Sequence, residues 1–400
     1  MREAGEKWER ELERWVTPYL DAFEHKVRRR WAPVYLRGLL LPGERKSIEP
    51  IVHRVAPDEK EQIHHFVATS KWDTAPLEAV HADRCNELVG GPDAHLIIDD
   101  TALPKKGVHS VGVAHQYCGA LGKQANCQSL VSLTLAREDV PIPIALRLYL
   151  PESWASDPAR REKACVPDDI LFRPKWRIAL DELDHLLEHR VQFGDVLADA
   201  GYGSCGEFRA ALTKRGLLWT VGIPSTQTAY LASVRVRPPT PKIPSGRTPK
   251  RGTPTEGSRS VAKLIEKLGP SAVRSVTWRK GTKGSLSGRF ARMRVRPADG
   301  PRTPPNNYHL PGDEVWLIAE FRKDETKYYV SNLPATASFK KVVSAIKARW
   351  SCEQMHQQMK EELGLDHFEG RSWHGLHHHA LLGMIAFTFL QHLRLREKNA

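Results

Sequence analysis

From Lys341 to Leu363 the chain has no Pro and no Gly, and Ala348, Cys352, Met355, Met359 and Leu363 recur at steps of four, three, four and four. This spacing predicts the apolar stripe of one helix. At about 100° per residue, Arg349, Glu353, His356 and Lys360 fall within roughly 60° of one another beside that stripe. One carboxylate is thus expected among two cations and an imidazole, at the edge of a buried seam.

The rest of the chain changes period several times. Residues 1 to about 90 read as helices: Glu6–Arg30 as one charged amphipathic stretch, a second helix opened by Pro57-Asp58, and a third from Pro76 to Leu88. Gly90-Gly91-Pro92 ends this region, and Leu96–Ile98 then reads as a short apolar strand ending in Asp99-Asp100-Thr101. Cys127–Glu138 and Pro141–Leu150 read as two further strands joined by a tight turn. Next come a helix over Pro174–Arg190, a strand over Gly194–Gly203 ending in a Gly turn, a helix over Gly206–Arg215 and a strand over Leu217–Ile223. Three strands, helix, strand, helix, strand is the order of an α/β, RNase H-like core with a mixed five-stranded sheet. Its Asp positions are expected at strand ends, where such sheets place ligands.

After Ile223 the composition shifts. The Pro-, Gly-, Ser- and Thr-rich stretch near 237–260 reads as a flexible loop. Beyond it Ala291, Met293 and Val295 alternate with Arg292, Arg294 and Arg296, a strand with one apolar and one cationic face. Glu314–Phe321 and Lys327–Leu333 read as a hairpin, and Leu376–Leu393 as a final apolar helix. The implied organisation is an all-helical N-terminal domain (1–91), an RNase H-like core (92–223 and 334–396) and a basic β-rich insertion (224–333).

Charge sharpens this. The 400 residues carry a net +13, yet Ile223–Leu310 alone holds 18 Lys and Arg against Glu256, Glu266 and Asp299. A local excess of this kind fits a nucleic-acid partner better than general solubility. No apolar run reaches membrane-spanning length, so no membrane partner and a cytoplasmic location are expected. Six scattered cysteines with no C-x2-C pair indicate neither a disulfide framework nor a zinc finger. His377-His378-His379 does not suit one ion, because consecutive helical side chains point about 100° apart.

Carboxylates from distant parts of the chain carry the candidate chemistry. Asp99 or Asp100, Asp199 (in A-D-A-G-Y-G) and Glu353 form a set of hard oxygen ligands suited to Mg2+. Each also has a plainer reading: a turn cap at Asp99-Asp100, a strand-to-helix turn at Asp199, and a solvated helix face at Glu353.

Taken together, D-x-T, a-D-x-G-Y-g and R-x3-E-x6-K, in that order, resemble the Y-R-E-K branch of DDE transposases from bacterial insertion sequences. The stretch DDTALPKKGVHSVGVAHQYCGALGKQANCQ is similar to the insertion sequence 701 group. The Tyr of the Y-R-E-K block is replaced by Ile346. The resemblance implies an RNase H-like domain in which Asp99, Asp199 and Glu353 bind two Mg2+ ions, with Mn2+ able to substitute. Asp100 is the alternative first carboxylate. Arg349 and Lys360 would meet DNA phosphates, as would Lys105 and Lys106 unless they are only turn residues. Trp278 is either a base-stacking residue or a buried strand Trp.

The implied activity is cut-and-paste transposition, that is, hydrolysis and strand transfer at terminal inverted repeats and target DNA, by a homodimer. Hairpinned ends would follow by the same resemblance. Two alternatives stand beside it: an inactive, domesticated DNA-binding protein of the same fold, and an RNase H-like nuclease acting on branched DNA.

Overall fold

A computed structural model describes residues 2–239, 251–281, 284–303 and 308–399. The chain forms two compact units, one of Met1–Gly194 with Trp350–Ala400, the other of Asp195–Arg349.

In the first unit the helices α1 (Arg2–Asp21), α2 (Lys26–Leu40), α3 (Ile48–Val55), α4 (Lys60–His64) and α5 (Ala75–Val89) precede the sheet. The single stretch expected over Glu6–Arg30 is therefore two helices. Neither Gly nor Pro marks the break; Arg29 Nε instead takes the Phe23 carbonyl at 2.9 Å. The sheet consists of β1 (His95–Pro104), β2 (Ala114–Cys118), β3 (Lys123–Arg137) and β4 (Val140–Leu148). β3 is the common antiparallel partner, pairing β1 from Cys127 to Ala136, β2 from Lys123 to Cys127, and β4 from Leu130 to Arg137.

Residues 127–136 of β3 are all buried, as a strand covered on both faces must be. Pro141 and Pro143 are accommodated in β4 because, within this unit, β3 is its strand partner and a Pro lacks the donor for a second ladder. The short helices α6 (Glu152–Ala155) and α7 (Pro158–Lys163) lead to α8 (Lys175–Glu188), which packs on β3.

Two C-terminal helices complete this unit, α13 (Trp350–Glu361) and α14 (Trp373–Asn399). α14 packs on β4 and α2. It is tied there by Tyr35 Oη to His379 Nδ1 at 2.8 Å, and Trp15 lies against Phe389 and His392. The N-terminal helices thus share one compact unit with the sheet.

The second unit begins with β5 (Asp195–Ala198), α9 (Ala200–Gly203), α10 (Gly206–Lys214) and β6 (Trp219–Ile223), β5 and β6 being parallel. β7 (Thr228–Leu231), β11 (Arg274–Gly281), β12 (Gly284–Pro297), β15 (Val315–Phe321) and β16 (Thr326–Ser331) extend it antiparallel in the order β7-β12-β15-β16-β6, with β11 also on β12. β15 and β16 form the expected hairpin, Phe321 opposite Thr326. Short ladders join β8 (Val236–Arg237) to β9 (Thr253–Pro254) and β13 (Arg302–Thr303) to β14 (Tyr308–His309), while β10 (Arg259–Ser260) lies on β7. Of the loop expected near 237–260, residues 240–250 lie outside the described residues, and the described remainder carries β9 and β10.

A helix not anticipated in the insertion, α11 (Val261–Leu268), is capped by Ser260 Oγ accepting from Lys263 N. Packed on β11, α12 (Phe339–Ala348) closes a core of Val276, Phe290, Trp316, Ile318, Leu333, Val342, Val343 and Ile346. Ile346, at the Tyr position of the Y-R-E-K pattern, is therefore a core residue.

Candidate active site

Two sequence expectations about the acidic positions change. The first concerns β1, which does not end at Asp99-Asp100. The ladder to β3 continues as far as Pro104, so both carboxylates lie within the strand. Successive strand side chains point to opposite faces, and that alternation separates the two Asp residues.

Asp99 is opposite Ser132 and Ile97 is opposite Thr134; antiparallel partners share a face. Ser132 Oγ lies 2.8 Å from His356 Nε2, and Thr134 Oγ1 lies 3.3 Å from Cys352 Sγ and 3.8 Å from Met355 Sδ. All three of those partners belong to α13. Asp99 therefore emerges on the face covered by α13, the helix that carries Glu353. Its Oδ1 accepts the Asp100 N–H at 2.8 Å.

Asp100 points to the opposite face. Its Oδ2 lies 2.6 Å from Lys175 Nζ on α8, which also reaches Ser129 Oγ at 2.8 Å. Thr101 returns to the Asp99 face. Its hydroxyl is buried and has no hydrogen-bond partner among the described residues. An orphaned polar atom two residues from a carboxylate fits a face that takes a polar ligand.

The second change concerns the Glu353 helix. It is not continuous from Lys341: α12 stops at Ala348, Arg349 is a turn, and α13 starts at Trp350. The apolar stripe runs across the break because it serves two cores, Ile346 in the second unit and Cys352, Met355 and Met359 in the first. Glu353 stands exposed in the first turn of α13, where the helix N-terminus favours a negative charge. His356 does not join the polar flank; it turns inward and is 6% exposed. Lys360 is half-buried, and burial draws its pKa down against the pull of Asp366.

Asp199, in the second unit, follows β5 directly and caps α9, its Oδ1 accepting from Gly201 N at 2.9 Å and Tyr202 N at 3.2 Å. The A-D-A-G-Y-G spacing has a packing cause. A Cβ on Gly203 would meet Gly222 O at 2.0 Å and Val221 Cβ at 2.8 Å, so only Gly lets α9 rest on β6. Within each unit, no group of three or more His, Cys, Asp or Glu among the described residues is gathered closely enough to hold a metal ion.

The remaining candidates have varied surroundings. Lys105 Nζ donates to Phe368 O at 2.7 Å, and burial lowers its pKa; Lys106 is exposed. Trp278 is half-buried with its ring set edge-on to Phe290, and Lys347 Nζ sits 4.8 Å from its centroid. Arg292 lies over Trp316 and bonds Ala337 O at 2.9 Å. Arg294 bonds Glu314 at 2.7 Å, and Arg296 bonds Gly312 O at 2.8 Å.

Sequence reasoning did not single out Ser132, Lys175 or the inward role of His356. Ser132 and Thr134 did leave a trace, as polar interruptions in an otherwise apolar strand. A cavity of about 680 Å³ in the first unit is lined by Trp72, Arg147, Ile178, Glu182, Trp373 and His378, and none of the three candidate carboxylates borders it.

These elements define an RNase H-like α/β fold with an acid-bearing strand beneath an acid-bearing helix. A family model for DDE superfamily endonucleases matches residues 18–285, well over half of the chain. The chain belongs to that family. The match takes in Asp99 and Asp199 and ends before Glu353. The chain is also 31% identical over 189 residues to the "Probable transposase for insertion sequence element IS701" of Microchaete diplosiphon. That alignment covers 47% of this chain and 47% of the relative, so the chain spans about half the length of the curated protein it matches. No helix among the described residues is long and apolar enough to cross a membrane.

Proposed function

We propose that the protein is a transposase of the Y-R-E-K branch that excises and inserts an insertion sequence by cutting and rejoining DNA at the element's ends. Asp99, Asp199 and Glu353 hold two Mg2+ ions, which Mn2+ can replace. The observation that carries this reading is that Asp99, not its neighbour, shares a sheet face with the Glu353 helix. Asp100 is committed to Lys175 on the other face. Asp199 supplies the third carboxylate in the A-D-A-G-Y-G turn.

Hard divalent ions bound there would supply activation of water and compensation of charge on the leaving oxygen. The chain's own residues do the rest. The carboxylates would hold the ions, while Arg349 and Lys360 hold the flanking phosphates, contacts that position rather than specify. The same residues serve strand transfer, when the freed 3′-hydroxyl is presented to target DNA. Residues 1–91 engage the inverted repeat, 92–223 with 334–396 form the catalytic core, and the basic insertion 224–333 follows the DNA backbone. Lys105, Lys106, Trp278, Arg292, Arg294 and Arg296 are assigned to that DNA path. The working form is a homodimer bridging two ends in the cytoplasm.

The test is cleavage of a duplex carrying the inverted repeat that flanks the coding region, in Mg2+, by wild type and Glu353→Gln. Loss of cutting in the variant supports the assignment. Equal cutting by both rejects it.

A further inference from the structure

We infer that His356, acting through Ser132, is a positioning residue that sets the separation between Asp99 and Glu353, and so tunes the affinity of the acidic face for divalent metal. This rests on the reading above that those two carboxylates bind metal.

The contacts between α13 and β3 are unequal. Cys352 Sγ and Met355 Sδ approach Thr134 Oγ1 at 3.3 and 3.8 Å, soft sulfur contacts that tolerate sliding. His356 Nε2 to Ser132 Oγ, at 2.8 Å, is directional and buried, with His356 6% and Ser132 0% exposed. Breaking it leaves a buried polar group short of a partner, which costs about 1–3 kcal/mol. This bond therefore pins the helix against β3 at Ser132.

That pin lies where it controls the acids. Ser132 is the cross-strand partner of Asp99, so the two side chains stand roughly 5 Å apart on one face. His356 follows Glu353 by three residues, about 60° around the helix and one turn along it. Of the buried residues of α13 it is nearest to the Glu353–Lys360 flank. A roll of about 10° about the axis carries a carboxylate some 6 Å out by about 1 Å. A displacement of that size is enough to degrade an active-site geometry a hundredfold. Groups that orient metal ligands without touching the metal typically change affinity 10–100-fold when removed.

The experiment is an Mn2+ titration of full-length protein bound to the element-end duplex, read by the electron paramagnetic resonance of free Mn2+, with Mg2+-dependent cleavage in parallel. His356→Leu and Ser132→Ala should each weaken Mn2+ binding at least tenfold. The double variant should be no weaker than the worse single, because both remove one bond. His356→Gln, whose amide nitrogen can reach Ser132, should return to within about threefold of wild type.

If His356→Leu does not fold, Ser132→Ala and His356→Gln carry the same comparison. Unchanged Mn2+ affinity in Ser132→Ala, or losses that multiply in the double variant, overturns the inference. If Asp99→Asn and Glu353→Gln themselves bind Mn2+ and cut like wild type, the assignment of those carboxylates as metal ligands fails instead. The two failures are therefore distinct.

Discussion

Replacing Asp99 and Asp100 one at a time by Asn separates two carboxylates that are adjacent in sequence and opposite in space. Asp100 faces Lys175 at 2.6 Å, both side chains being 31% exposed. Neutralising it removes a partly screened ion pair and leaves Lys175 with Ser129. The expected loss is about 1 kcal/mol, or a melting temperature lower by about 2–4 °C. Cleavage should change less than about threefold, since the protein remains folded and the α13 face is untouched.

Asp99→Asn removes a charged oxygen ligand from the face beneath α13. Cleavage should then fall by three or more orders of magnitude, equivalent to about 4 kcal/mol in the barrier, with little change in melting. Single-turnover cleavage of the element-end duplex, with thermal unfolding of the same preparations, makes the comparison. A loss of a thousandfold in Asp100→Asn beside near-normal cutting by Asp99→Asn would refute the facing argument.

Other outcomes follow from the packing. Gly203→Ala places a methyl 2.0 Å from Gly222 O, pushing α9 and the Asp199 cap off β6. It should cost about 1–3 kcal/mol in denaturant melts and at least tenfold in cleavage; wild-type values in both would show that the contact is not needed. Burial holds His81, His377 and His379 near a pKa of about 4, against 6.5 for the free ring.

The folded rings therefore stay neutral while the unfolded chain takes up protons, so this stability is present above about pH 6.5 and lost as pH falls toward 4. Each should forfeit about 1.4 kcal/mol by pH 5.5, roughly 4 kcal/mol together, measurable as a shift in urea midpoint between pH 7.5 and 5.5. A midpoint independent of pH would contradict it. Burial lowers His378 in the same direction, against the pull of the Val67 and Trp72 carbonyls that lie 3.0 Å from its two ring nitrogens.

Much of the core was legible because its strands and helices bury one face at a fixed period. The β15–β16 hairpin, α8, α10 and the long apolar α14 all stand where periodicity puts them, within a few residues. What escaped depended on partners remote in sequence. The break at Arg349 has no Gly or Pro, and the stripe through it is continuous; it splits because Ile346 and Cys352 pack into different cores. His356 looked polar by helical angle, yet it turns inward to meet Ser132, 224 residues away. The choice between Asp99 and Asp100 likewise required the register with β3, which no local pattern encodes. α11 was different: its Ser260 cap, apolar spacing and terminal Gly269 were visible but overshadowed by the Pro-rich stretch before it.

The most direct measurement is calorimetric titration of Mn2+ into the protein–duplex complex, for wild type and for Asp99→Asn, Asp199→Asn and Glu353→Gln. If the three acids form one seat, wild type takes up two ions and each substitution abolishes tight uptake along with strand cutting. Undiminished uptake in any one of the three would remove that residue from the site, and undiminished uptake in all three would leave the proposed chemistry without its metal.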